Sequence, residues 1–182
     1  MKFLGMKKVH SGHYLKNYEL TYENRAGIEK TYEMVSFSEI TSPEDIGKNL
    51  NGVSIVAFQG EKLLLLKEFR MGVNRYVYNL CAGMLEKNET MEECIARELF
   101  EETGLQLKRI IKILPPSFAA VSISDIRTQI AFIEVSGQIE YHTSPNEELT
   151  AAFYTKEEVT NLLQREAFSD KAQLAAFFFT NQ

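Results

Sequence analysis

Residues Gly83–Leu105 read GMLEKNETMEECIARELFEETGL. Both ends of a helix are marked in this stretch. Thr90 followed by Glu93 is a capping box, and Gly104 is the glycine that stops a helix in a left-handed turn. Inside it, Glu98, Glu101 and Glu102 stand at i, i+3 and i+4 and therefore project from one face. Like charges so placed repel each other, and a divalent cation is the simplest partner that makes the arrangement favourable. A run of charge is ordinarily a wet helix face. At 100° per residue, however, Met91, Cys94 and Ile95 fall on the same side as the three acids, while Glu92 and Glu93 point away. The stripe that is apolar in the first turns becomes acidic in the last. A helix docking Met91, Cys94 and Ile95 would carry its carboxylates to the rim of the core, where Mg²⁺ or Mn²⁺ with oxygen ligands would compensate them. Arg97 can reach Glu101 at i+4 or Glu89 near the helix start, holding the acids in register.

Outward from this helix the chain reads as strands. Tyr18–Tyr22 and Lys30–Phe37 alternate polar and apolar residues around Asn24–Gly27 and predict a β-hairpin. The polar stretch Thr41–Gly52 reads as a joint. Val53–Phe58, Leu63–Phe69, Tyr76–Leu80, Ile110–Leu114, Gln129–Val135 and Leu149–Tyr154 follow as strand candidates. Thr155 with Glu158 repeats the capping box before a second helix, and Ser169 is placed to cap a third. This order predicts an α/β sandwich with a mixed sheet.

The 182 residues, 45% hydrophobic and 25% charged, are enough for one well-buried core. A net charge of −5 without a basic stripe speaks against nucleic acid as a partner. Cys81 and Cys94 lack zinc or redox spacing and read as reduced core thiols. The apolar run Ala175–Phe179 is far too short to span a membrane, and no apolar stretch of secretory length opens the chain, so a cytoplasmic protein is expected.

The spacing also resembles a family pattern. Glycine, five residues, Glu, seven residues, then Arg-Glu-aliphatic-any-Glu-Glu-any-Gly-aliphatic is the Nudix box. Here Gly83, Glu89, Arg97, Glu98, Leu99, Glu101, Glu102, Gly104 and Leu105 fill every fixed position. The resemblance implies an α/β/α sandwich with a mixed sheet over residues 49–182, preceded by a small N-terminal antiparallel β lobe over 1–48. By the same resemblance Glu98 and Glu102 are metal ligands, Glu101 is a further ligand or base, and the Ala82 carbonyl is another ligand. Gly83, Glu89, Arg97 and Gly104 brace the box. The cofactor implied is Mg²⁺ or Mn²⁺.

Outside the box, Glu68-Phe69-Arg70 and Asn79-Leu80-Cys81-Ala82-Gly83 resemble segments of the ADP-ribose pyrophosphatase and nucleotide-sugar hydrolase branch. That likeness gives Arg70 a role on the substrate phosphates. It also makes Tyr32 a candidate to stack on the nucleobase, and the lobe a means of forming a homodimer. Asn146-Glu147-Glu148-Leu149 resembles the loop supplying a late catalytic glutamate, which points to Glu147 first and Glu148 next. Three departures stand out. Ala120 occupies the position of a branch proline, and Asn79 and Cys81 replace the usual Glu and Pro. The implied reaction is pyrophosphate hydrolysis of ADP-ribose or another nucleotide sugar to a nucleoside monophosphate and a sugar phosphate. GDP-mannose or a damaged nucleoside triphosphate is the alternative substrate. A non-catalytic sensor retaining the fold is the alternative class, against which stands the full set of box acids.

Overall fold

In the computed structural model, which describes residues 1–140 and 148–181, the chain forms two compact units. The smaller comprises Met1–Asn51 with Pro116–Thr128, and the larger Gly52–Pro115 with Gln129–Gln182.

In chain order the strands are β1 (Lys2–Ser11), β2 (Lys16–Glu23), β3 (Glu29–Ser36), β4 (Leu50–Gln59), β5 (Lys62–Arg70), β6 (Arg75–Asn79), β7 (Cys81–Met84), β8 (Gln106–Ile113), β9 (Ser117–Phe118), β10 (Arg127–Ser136) and β11 (Leu149–Tyr154). The helices are α1 (Met91–Thr103), α2 (Lys156–Arg165) and α3 (Asp170–Thr180).

The smaller unit is built on the antiparallel sheet β1-β2-β3. Its hairpin turn is set by Asn24, whose Oδ1 accepts from the Ala26 and Ile28 amides at 2.8 and 3.0 Å, and by Gly27 at φ 73°. The expected hairpin thus acquires a third strand, β1. Its register slips between Phe3 and Gly5 and again between Lys8 and His10. Such irregularities erase the strict alternation by which a strand is read from sequence. Tyr18, Leu20, Met34 and Ile40 form the core of this unit, and the Tyr18 hydroxyl accepts from the Ile40 amide at 2.8 Å. The segment 116–128 joins the unit through the Val35 amide, which donates to Ile123 O at 2.8 Å, and through β9 paired with Arg127 and Thr128.

In the larger unit the sheet runs β11-β5-β4-β10-β8, with β6 beside β5 and β7 beside β4. Leu63, Leu64, Leu65 and Leu66 are consecutive and all buried, which requires cover on both faces of the sheet. Leu64, Leu66, Val53, Ile55 and Ala57 pack with Cys94, Ile95 and Leu99 of α1. Leu63, Leu65 and Val56 pack on the opposite face with Val159 of α2 and Ala172, Ala176 and Phe179 of α3. The result is an α/β/α arrangement around a mixed sheet. Each fully buried leucine contributes roughly 1.5–3 kcal/mol from leaving water.

The two capping boxes form as expected, at Thr90/Glu93 and Thr155/Glu158. Ser169 occupies the N-cap of α3, but its hydroxyl makes no capping bond and donates instead to Asn79 Oδ1 at 2.6 Å. Cys81 and Cys94 are free thiols buried in the core. Among the described residues no helix is long and apolar enough to cross a membrane.

Candidate active site

The acidic end of α1 is built against β7. Buried Cys94, Ile95 and Leu99 fix the helix rotation, so Glu98 and Glu102 lie over the strand while Glu101, 58% exposed, stays at the rim. The Glu102 carboxylate accepts from the Ala82 amide at 3.3 Å. Glu98 lies so close to Gly83 that a Cβ added there would meet its carboxyl atoms at 1.7–2.1 Å. Glycine at 83 is therefore required by close approach rather than by backbone angle. At the other end Gly104 has φ 73°, and a Cβ there would meet Glu140 at 2.9 Å, so it is constrained twice.

Arg97 joins the alternatives that its spacing left open. Its Nε and Nη2 hold Glu89 at 2.7 and 3.0 Å, Nη1 reaches Glu98 at 2.7 Å and Glu101 at 3.1 Å, and Nη2 also donates to Met84 O at 3.0 Å. This fork-on-carboxylate geometry holds the Glu89 carboxyl down at about 2. Burial acts the other way on the cavity side. It pushes Glu102 up to about 8, with the neighbouring Glu98 and Glu68 charges adding to the effect, and it raises Glu98 as well. Burial likewise pushes the Cys94 thiol up to about 12 and Cys81 well above its usual range, so neither is a ready nucleophile.

These groups open onto a cavity of about 570 Å³ lined by Glu68, Arg70, Ala82, Gly83, Glu98, Glu101, Glu102 and Glu148 among others. Arg70, at the end of β5, is 60% exposed and lies 3.4 Å from Glu68. Glu148 sits at the rim, where its carboxylate accepts from the Tyr76 hydroxyl and its carbonyl accepts from the Phe69 amide at 2.9 Å. Glu147 lies outside the described residues. Tyr32 belongs to the smaller unit, in a separate apolar hollow with Tyr22, Met34 and Phe118, and its hydroxyl donates to Ser122 O. Ala120 is in that unit too, its carbonyl accepting from the Ile123 and Ser124 amides.

Among the described residues no three His, Cys, Asp or Glu side chains converge to hold a metal by themselves. Glu101, expected as a third carboxylate, is drawn to Arg97. What does converge is two partly buried carboxylates beside the Ala82 backbone, an all-oxygen donor set in which Arg97 pairs with Glu98 while burial disfavours the charged form of Glu102. That chemistry fits a hard divalent cation.

Two groups here hold places that the sequence reading does not assign, Glu68 in the cavity lining and Tyr76 on Glu148. Glu68 had a signal. In β5 it continues the two-residue period of Leu64 and Leu66, which face α1. Tyr76 had none, since it reaches Glu148 across 72 residues.

The NUDIX domain model matches residues 48–177. The chain belongs to the NUDIX family. Among curated relatives, an ADP-ribose pyrophosphatase of Bacillus subtilis is 38% identical over 73 residues, 40% of each chain. A GDP-mannose pyrophosphatase of Yersinia pestis is 27% identical over 143 residues, 74% of this chain and 66% of the relative. The matched stretches thus span less than two thirds of those relatives' length. A solved structure described as an ADP compounds hydrolase superposes over 99% of this NUDIX chain and 91% of its own, with a TM-score of 0.77 at 19% identity, a likeness of fold.

Proposed function

We propose that this chain is a divalent-metal-dependent pyrophosphatase that cleaves ADP-ribose or another nucleotide sugar into a nucleoside monophosphate and a sugar phosphate. The observation that carries the reading is the convergence of partly buried Glu98 and Glu102 with Ala82 and Arg70 on one cavity. Pyrophosphatase names among the relatives support it.

Glu98, Glu102 and the Ala82 carbonyl would hold Mg²⁺ or Mn²⁺. The bound ion supplies neutralisation of the diphosphate and a lowered pKa for water. Arg70 pairs with a phosphate, and its exposure leaves it free to swing onto the ligand. Arg97 keeps Glu98 and Glu101 aimed while Glu89 anchors Arg97. Water oxygen bonds to one phosphorus, the bridging P–O bond breaks, and the second phosphate leaves with its electron pair. Glu147 takes the water's proton, with Glu148 or a box glutamate, Glu101 or Glu102, as the alternative base. Tyr32 stacks on the nucleobase, and the chain works as a cytoplasmic homodimer joined through residues 1–48. GDP-mannose is the second substrate reading, favoured by the longer aligned stretch with that pyrophosphatase.

The test is incubation with Mg²⁺ and a panel of nucleoside diphosphate derivatives, following AMP, GMP and phosphate release. Nucleoside monophosphate from a nucleotide sugar is expected. Silence across the panel with metal present would sink the enzymatic reading.

A further inference from the structure

Among the described residues Glu68 is the one carboxylate lining the cavity that belongs neither to the box nor to the stretch around Glu147. Its side chain is 13% exposed at the end of β5. Asn79 Nδ2 donates to its Oε1 at 2.5 Å, and Ser169 Oγ donates to Asn79 Oδ1 at 2.6 Å. The bond to Ser169 carries information. A serine at a helix N-cap ordinarily turns its hydroxyl to the first-turn amides. Here it makes no such bond and donates to the Asn79 side-chain oxygen instead, while the acceptor-only Glu68 carboxylate takes the Asn79 NH₂ on the other side. A three-residue relay from α3 through β6 thus holds one carboxylate oxygen. Among the described residues the other, Oε2, has Arg70 at 3.4 Å, and Glu68 lines the cavity.

An ionised carboxylate can only accept hydrogen bonds. It repels phosphate and attracts hydroxyl groups. We infer that Glu68 is a specificity-determining residue that accepts hydrogen bonds from the hydroxyls of a neutral sugar attached to the diphosphate, with Asn79 and Ser169 as its positioning residues. The inference rests on the pyrophosphatase reading above and adds a selection rule to it. A neutral polyol beyond the diphosphate is welcomed, and a further phosphate at the same place is rejected, by attraction and repulsion at one atom.

The experiment measures kcat and KM for ADP-ribose and for ATP with wild-type protein, Glu68→Gln, Asn79→Ala, Ser169→Ala and Ser169→Thr, together with the Mg²⁺ half-saturation and the melting temperature of each. Glu68→Gln keeps shape and removes charge. The ratio of kcat/KM for ADP-ribose over ATP should fall about ten- to a hundredfold, chiefly through KM for ADP-ribose, with the Mg²⁺ half-saturation unchanged. Ser169→Ala and Asn79→Ala should lower the same ratio by a smaller factor, and Ser169→Thr should restore it. An unchanged ratio in Glu68→Gln overturns the inference while leaving the pyrophosphatase reading intact. A raised Mg²⁺ requirement with an unchanged ratio overturns it in favour of a metal ligand. Wild-type protein inactive on ADP-ribose and ATP overturns the inference, and inactivity on GDP-mannose and the rest of the nucleotide-sugar panel as well overturns the reading with it.

Discussion

Glu102 is held at odds with its solvent. An ordinary carboxyl titrates near 4.5, and burial moves this one to about 8. A folded-state value above the unfolded one means that the neutral form is favoured by folding. Its stabilising contribution is complete below the unfolded value and is lost as pH rises through about 8. Metal-free protein should therefore lose melting temperature between about pH 4.5 and pH 8, and Glu102→Gln should flatten that slope, as followed by thermal unfolding in chelator. Glu89 has the opposite sign. Held at about 2 by Arg97, it contributes above its ordinary range and its contribution fades as pH falls toward 2. Binding of Mg²⁺ must expel the Glu102 proton, so calorimetry in two buffers of different ionisation heat at pH 7 should show proton release that vanishes in Glu102→Gln. The same variant should lose turnover by orders of magnitude while staying folded, read by steady-state kinetics beside circular dichroism. An unchanged rate would remove Glu102 from the chemistry.

At the scale of elements, what the sequence revealed depended on how local the cause was. The box helix and α2 are announced by capping boxes that span four residues, and both begin where those boxes stand. Thr90→Ala should cost about 1 kcal/mol in chemical denaturation. The strands β7 and β9, four and two residues long, carry no usable period, and β1 is hidden by its register shifts. The site divides in the same way. Glu98, Glu102 and Arg97 are read from helical spacing, whereas the rim contact between Tyr76 and Glu148 exists only after β5, β6 and β11 pair. Ser169 stands at a helix start as its position implies, but its hydroxyl goes to Asn79, a partner 90 residues away that local sequence does not announce. Gly83→Ala tests the contact between strand and helix. The methyl would displace the Glu98 carboxylate, so activity should fall about a hundredfold or more while melting temperature moves little, since the clash is with a side-chain end.

At the scale of the molecule, the homodimer expected from the N-terminal lobe is tested by mass in solution. One chain weighs 20.8 kDa, so light scattering should return twice that value, and a clean monomer would refute the assembly. Residues 116–128 fall inside the stretch matched by the NUDIX model, yet they pack with the first fifty residues. The chain therefore passes between its two units three times, near residues 51, 115 and 128. A scissor cut in the gene after residue 48 would keep every letter of the box and still not yield a finished protein. Val35 would be gone, and Ile123 would lose the amide that meets its carbonyl. For this fold the seam lies in space rather than along the chain, because the first unit takes part of its substance from residues 116–128.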